Sequence, residues 1–64
     1  MINLKRIRTE RGMTQKELAE LSDINIRKIQ DYEQGHSQIN KAAAITVYRL
    51  AEALNVGMEK LLEK

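Results

Sequence analysis

Apolar positions recur along this chain at three- and four-residue spacing, and they are interrupted at regular intervals by polar turn residues. Leu4 and Ile7, followed by Arg11, fall on one face at helical spacing, which predicts a first helix over about Asn3–Arg11 with Asn3 as its cap. Gly12 stops it, since glycine accepts the left-handed conformation that closes many helices. Thr14-Gln15-Lys16-Glu17 is a capping box, so a second helix is expected from Gln15 to Leu21 or Ser22, with Leu18, Ala19 and Leu21 as its apolar positions. Asp23-Ile24-Asn25 reads as a turn in which Ile24 plugs the space between helices and Asn25 caps a third helix over Ile26–Gln34. In that third helix Ile29 and Tyr32 are the inward candidates, and Gly35 ends it. A polar loop around Ile39 follows, then a fourth helix over about Lys41–Leu54 with a buried stripe of Ile45, Val47, Leu50, Ala51 and Leu54. After Asn55-Val56-Gly57, a short fifth helix is expected over Met58–Leu62, bringing Leu61 and Leu62 to the core or to a partner.

Composition narrows the class. With 64 residues, no proline, few scattered Ile and Val, and an abundance of Leu, Ala, Glu, Lys, Arg and Gln, the chain is expected to be a single all-α domain. The absence of cysteine removes a disulfide framework and cysteine-based zinc sites, so stability must come from helix packing or from pairing with another chain. No apolar run reaches the roughly 20 residues of a membrane span, and Met1–Arg6 has charge without the apolar stretch of a signal peptide. The cytoplasm is the expected compartment. One histidine, no cysteine and no glycine-rich phosphate loop leave little from which to build a catalytic site, so no enzymatic activity, metal or cofactor is expected. His36, in the loop, reads as a solvated side chain.

The net charge is only +2, but it is unevenly placed. Residues 1–28 hold seven basic groups against four acidic ones, +3, whereas residues 29–64 hold four against five, −1. A positive first half favours an anionic partner. Two short helices joined by a tight turn, the second polar on one side, have the form of a helix-turn-helix, whose second helix can enter a DNA major groove. On spacing alone an ordinary helical hairpin remains the alternative.

The motifs Gly12-Met13-Thr14-Gln15-Lys16-Glu17-Leu18-Ala19, Glu33-Gln34-Gly35 and Leu50-Ala51-Glu52-Ala53-Leu54-Asn55-Val56 stand in one order between Leu4 and Leu62. In this the chain resembles the phage-repressor and Cro-type (XRE) helix-turn-helix family. The resemblance implies a compact five-helix bundle of the lambda-repressor-like type that binds double-stranded operator DNA, usually as a homodimer, and regulates transcription, most commonly as a repressor. It implies that Gln15 bonds a DNA phosphate, the alternative being a merely exposed first helical residue. Thr14, Lys16, Asn25, Gln34, Gln38, Asn40 and Lys41 are the further candidates for backbone contact.

For base contact the resemblance points to Ile26, Arg27, Lys28, Gln30 and Asp31. Arg27 can bond guanine O6 and N7, Lys28 guanine or phosphate, and Gln30 adenine. Ile26 can touch a thymine methyl or serve as a staple or dimer contact. Asp31 is expected to orient Arg27, its neighbour one turn back, rather than to read a base. Arg8 and Glu33 match a family pair that ties the first helix to the end of the third through a bidentate ion pair. Asp23 departs from the glycine common at that turn. No small-molecule ligand is expected, and Met58, Leu61 and Leu62 are the favoured dimer surface. The other function in view is a protein-interaction module such as the antitoxin of a toxin–antitoxin pair; antitoxins usually carry a toxin-binding extension, and almost nothing follows the last helix here.

Overall fold

The computed structural model describes residues 2–64; Met1 lies outside them. It contains four α-helices, α1 (Asn3–Glu10), α2 (Gln15–Ser22), α3 (Ile26–Gln34) and α4 (Ala44–Leu54), with 3₁₀ turns at Ile39–Lys41 and Met58–Lys60 and no strand among the described residues. Among the described residues no helix is long and apolar enough to cross a membrane. Helix α2 packs against both α3 and α4, and α1 rests on α3. Leu4, Leu18, Ile29, Leu50, Leu54 and Leu61 form the fully buried centre, closed by Ile7, Ile24, Tyr32, Ile39, Val47 and Ala51.

Local chemistry explains where α1 ends and where α2 and α3 begin and end. The Thr14 hydroxyl oxygen accepts from the Glu17 amide at 3.0 Å, and the Thr14 amide donates to Glu17 Oε1 at 2.8 Å, which completes the capping box of α2. Asn25 Oδ1 accepts from the Arg27 amide at 2.8 Å and caps α3. Helix α1 ends in a Schellman motif: Gly12, at φ +71°, donates to the Thr9 carbonyl at 3.0 Å, and Met13 donates to that of Arg8 at 3.1 Å. Gly35, at φ +81°, closes α3 in the same way, its amide on Tyr32 and that of His36 on Asp31. Between α2 and α3, Asp23 sits at φ +58° and Ile24 is buried as the plug.

Several expectations are corrected. Asn3 does not cap α1; it is the first helical residue, and Ile2 at the cap position offers no side-chain bond. The Asn3 amide instead donates to Glu63 Oε2 at 2.7 Å, so a carboxylate from the far end of the chain meets the positive end of the helix. Arg11 lies beyond α1, exposed, with Nη2 3.5 Å from the Asn55 carbonyl. The fourth helix starts at Ala44, not Lys41. Burying Ile39 holds residues 39–41 in a separate tight turn, and the chain leaves it extended at Ala42 (φ −71°, ψ 155°), which a continuous helix cannot follow.

Among the described residues there is no fifth α-helix. Met58–Lys60 is one 3₁₀ turn that delivers Leu61 to the core at 0% exposure and leaves Leu62 at 40%. Leu21 and Ile45, expected among the apolar positions facing inward, are exposed. The buried stripe of α2 runs through Leu18 and Ser22 with Ala19 beside it, which puts Leu21 on the far edge. Ile45 lies about 200° around α4 from Val47, on the side away from the stripe of Val47, Leu50, Ala51 and Leu54.

Candidate nucleic-acid interface

Helix α3 has two distinct faces. Ile29, Tyr32 and Glu33 point inward and are buried. Ile26, Arg27, Lys28 and Gln34 are exposed, and Gln30 and Asp31 are half-buried. Its first turn therefore presents Arg27, Lys28 and the apolar Ile26 to solvent, at the end of the helix where backbone N–H groups lack intrahelical partners. The Asn25 cap and the buried Ile24 immediately before it hold that turn against α2.

The angle of α3 is set by a polar cluster beneath it. Arg8 Nε donates to Glu33 Oε2 at 2.7 Å and Arg8 Nη2 to Glu33 Oε1 at 3.0 Å, a bidentate pair whose side chains are 10% and 2% exposed. Arg8 Nη1 donates to the Met13 carbonyl at 2.7 Å, so the same guanidinium also holds the segment that leads into α2. Gln15, the first residue of α2, donates from Nε2 to Glu33 Oε1 at 2.9 Å. Gln30 Nε2 lies 3.5 Å from Gln15 Oε1. One buried cation thus joins α1, the start of α2 and the end of α3. No buried side-chain polar atom among the described residues lacks a partner.

The remaining candidate residues divide by what already holds them. Lys16, Gln34, Gln38 and Lys41 are exposed, and no side-chain hydrogen bond engages them among the described residues. Thr14 and Asn25 use their side-chain oxygens as caps and keep donors for an outside acceptor. Asn40 is held at both ends of its amide: Oδ1 accepts from the Glu63 amide at 2.7 Å, and Nδ2 donates to the Glu63 carbonyl. Asn3 Nδ2 donates to the Leu62 carbonyl at 2.9 Å, so Asn3 and Asn40 clasp the C-terminal segment between them, and Asn40 is a structural residue.

Asp31 does not orient Arg27. Its Oδ1 lies 3.8 Å from His36 Nδ1, because the Gly35 turn carries the chain back past the end of α3, and no bond joins it to Arg27. His36 is accordingly exposed beside a carboxylate rather than simply solvated. Sequence reasoning missed the Gln15–Gln30 contact and the clasp around Glu63. Their partners are 15 to 60 residues apart, and no local spacing signals them. Among the described residues no cluster of three His, Cys, Asp or Glu side chains could hold a metal.

Two capped helices, a left-handed turn and a buried apolar plug define a helix-turn-helix protein. A family model described as helix-turn-helix matches residues 4–61, and the chain belongs to that family, the Cro/XRE type of DNA-binding transcription regulator. No curated protein and no solved structure matches the chain.

Proposed function

We propose that this protein is a repressor that binds a palindromic operator as a homodimer, with the outer face of α3 in the major groove. The observation that carries this reading is the Arg8–Glu33–Gln15 cluster, which holds the basic first turn of α3 at a defined angle to the N-terminus of α2. In that arrangement α2 meets the phosphate backbone through its N-terminal amides, the second N–H of Gln15, Thr14 and Lys16, while Lys41 and Gln38 follow the strand on the other side. Arg27 takes guanine O6 and N7, Lys28 guanine or a phosphate, and Ile26 a thymine methyl. The carboxylate of Glu33 is neutralised by Arg8 and does not oppose the approach of the DNA.

A homodimer places two α3 helices in successive major grooves about 34 Å apart. Leu61 belongs to the core, so the adjacent leucine pair does not serve as a dimer contact; with Ile26 on the DNA-facing side of α3, Leu21 on α2, Ile45 and Tyr48 on α4, and Leu62 are the exposed large apolar side chains that remain for it.

Selection of duplexes from a random pool, followed by titration of the winner at several salt concentrations, tests this. A palindromic consensus bound by two chains, with affinity falling steeply as salt rises, is the expected result. Arg27→Ala should weaken the consensus by about 1–3 kcal/mol and relax one base position. Binding without a consensus, or an unchanged consensus for Arg27→Ala, refutes the assignment.

A further inference from the structure

We infer that Glu33, acting through Gln15, fixes the side-chain amide of Gln30 with its carbonyl oxygen as the outward group, so that this position of α3 selects a base with an exocyclic amine, adenine or cytosine, and rejects guanine. The inference rests on the DNA-reading proposal above and adds to it a direction of reading and two positioning residues.

A carboxylate only accepts hydrogen bonds. The Gln15 atom 2.9 Å from Glu33 Oε1 must therefore be Nε2, since the flipped amide would set oxygen against oxygen. That leaves Gln15 Oε1 facing Gln30, and a carbonyl oxygen also only accepts. Gln30 must bring Nε2 to it, across the 3.5 Å between them, which leaves its own Oε1 and the second N–H of Nε2 side by side at the outer end. Each amide is oriented by the one before it, and aligned dipoles of this kind reinforce one another. Glu33 cannot turn to release the chain, because Arg8 holds both of its oxygens in a buried site and is itself held by the Met13 carbonyl.

A glutamine unrestrained on a helix surface can rotate its amide. It can then accept from an amine of adenine or cytosine, or donate to O6 and N7 of guanine. Gln30 stands four residues from the exposed Ile26 and Gln34, along the outer side of α3, and is only half-buried. Held by Gln15, it offers Oε1 in a fixed place with one N–H beside it, so a guanine would set one of its acceptors against Oε1. In the major groove guanine presents only acceptors, whereas adenine N6 and cytosine N4 present donors. Gln15 is thus a positioning residue for a base contact as well as a candidate for the phosphate.

The test selects duplexes with the wild-type chain and with Gln30→Ala, Gln15→Met and the double variant Gln15→Met/Gln30→Glu, after thermal unfolding has shown each to be folded. Gln30→Ala identifies the base position whose preference it abolishes. The wild type should disfavour guanine there by about tenfold or more. Gln15→Met should bring guanine to within about twofold of adenine and cytosine at that one position and leave the others unchanged. The double variant, whose carboxylate can only accept, should exclude guanine again. A Gln15 that touches phosphate alone lowers affinity for all sequences equally and leaves the preference intact; that result overturns the relay. So does guanine selected by the wild type, a Gln30→Ala variant with an unchanged consensus, or a double variant that keeps its other preferences without excluding guanine. A wild-type chain that selects no consensus refutes the DNA-reading proposal itself, a different outcome from all of these.

Discussion

Arg8→Met should come close to unfolding the protein, although it changes one side chain at the edge of the core. It leaves the Glu33 carboxylate, 2% exposed, with a single N–H from Gln15 in place of the guanidinium that bonds both oxygens. Removing one partner of a buried pair costs about 3–5 kcal/mol, because the remaining charge has lost its water and gained nothing. A domain of this length has roughly 3–10 kcal/mol of stability in all. With an unfolding entropy of about 2.1 cal/mol/K per residue, a 3 kcal/mol loss lowers the melting temperature by about 20 °C. Glu33→Leu should cost a similar amount by stranding the guanidinium. Arg8→Met combined with Glu33→Leu removes both charges together and should lie within about 1–2 kcal/mol of the wild type, since apolar replacements of a buried pair are often neutral. Urea denaturation followed by far-ultraviolet circular dichroism gives all four corners of this double-mutant cycle. Single costs below about 1 kcal/mol would place the pair in the class of exposed ion pairs and refute the claim that burial makes it strong. A double variant as unstable as the sum of the singles would show that each residue acts through other contacts. The same double variant frees Gln15 from its anchor, so it should bind DNA poorly even where it folds well.

Leu61→Ala should cost about 2–5 kcal/mol in thermal denaturation, as a fully buried leucine does, whereas Leu62→Ala should stay within about 0.5 kcal/mol; equal effects would contradict the placement of Leu61 in the core. Gly35→Ala should cost about 1 kcal/mol through the backbone alone, since a Cβ there meets nothing within 4 Å while φ is +81°. Asp23→Gly, at φ +58°, should leave stability unchanged or raise it by up to about 1 kcal/mol, and a clear loss would point to a side-chain role for Asp23. Asn25→Ala should cost about 1 kcal/mol and lower the helix content of α3. Tyr48 donates to Glu52 Oε2 at 2.8 Å, and that bond, reinforced by the negative charge of Glu52, pushes the phenol above its ordinary value of 10.0. The bond therefore supports the fold below about pH 10 and is lost as pH rises through the raised value; ultraviolet titration of Tyr32→Phe should show Tyr48 ionising late, and Glu52→Gln should bring it back.

The boundaries of α2 and α3 were legible in the sequence because their signals act within a few residues. A threonine and a glutamate three apart satisfy each other across one turn, an asparagine before a helix reaches its second amide, and a glycine after it accepts positive φ whatever surrounds it. The buried residues Leu18 and Ile29 follow from spacing on those helices, Leu50 from spacing on α4, and Ile24 from its place as the apolar residue of the turn. The ion-pair partners Arg8 and Glu33 stand 25 residues apart, and only the resemblance to the family pointed to their pairing.

Where packing chose among equivalent candidates, the chain alone was silent. Leu61 and Leu62 are chemically identical, and only the angle at which the last turn meets the core decides which one enters it. Asn3 and Asn40 carry the same amide as any cap or phosphate ligand, yet both are held by residues 62–63, which the fold brings beside them. Ile39 breaks the fourth helix because its burial depends on a core assembled from all four helices, the α2–α3 turn and Leu61. The direction in which Gln30 presents its amide depends on Gln15 and Glu33, on another helix and a turn further along its own. Local hydrogen bonds and helical periodicity determined the two central helices of this protein; the orientation of Asn3, Gln15, Gln30 and Asn40 was decided by long-range contacts, because an amide takes its direction from whichever partner the folded chain sets within hydrogen-bonding distance of it.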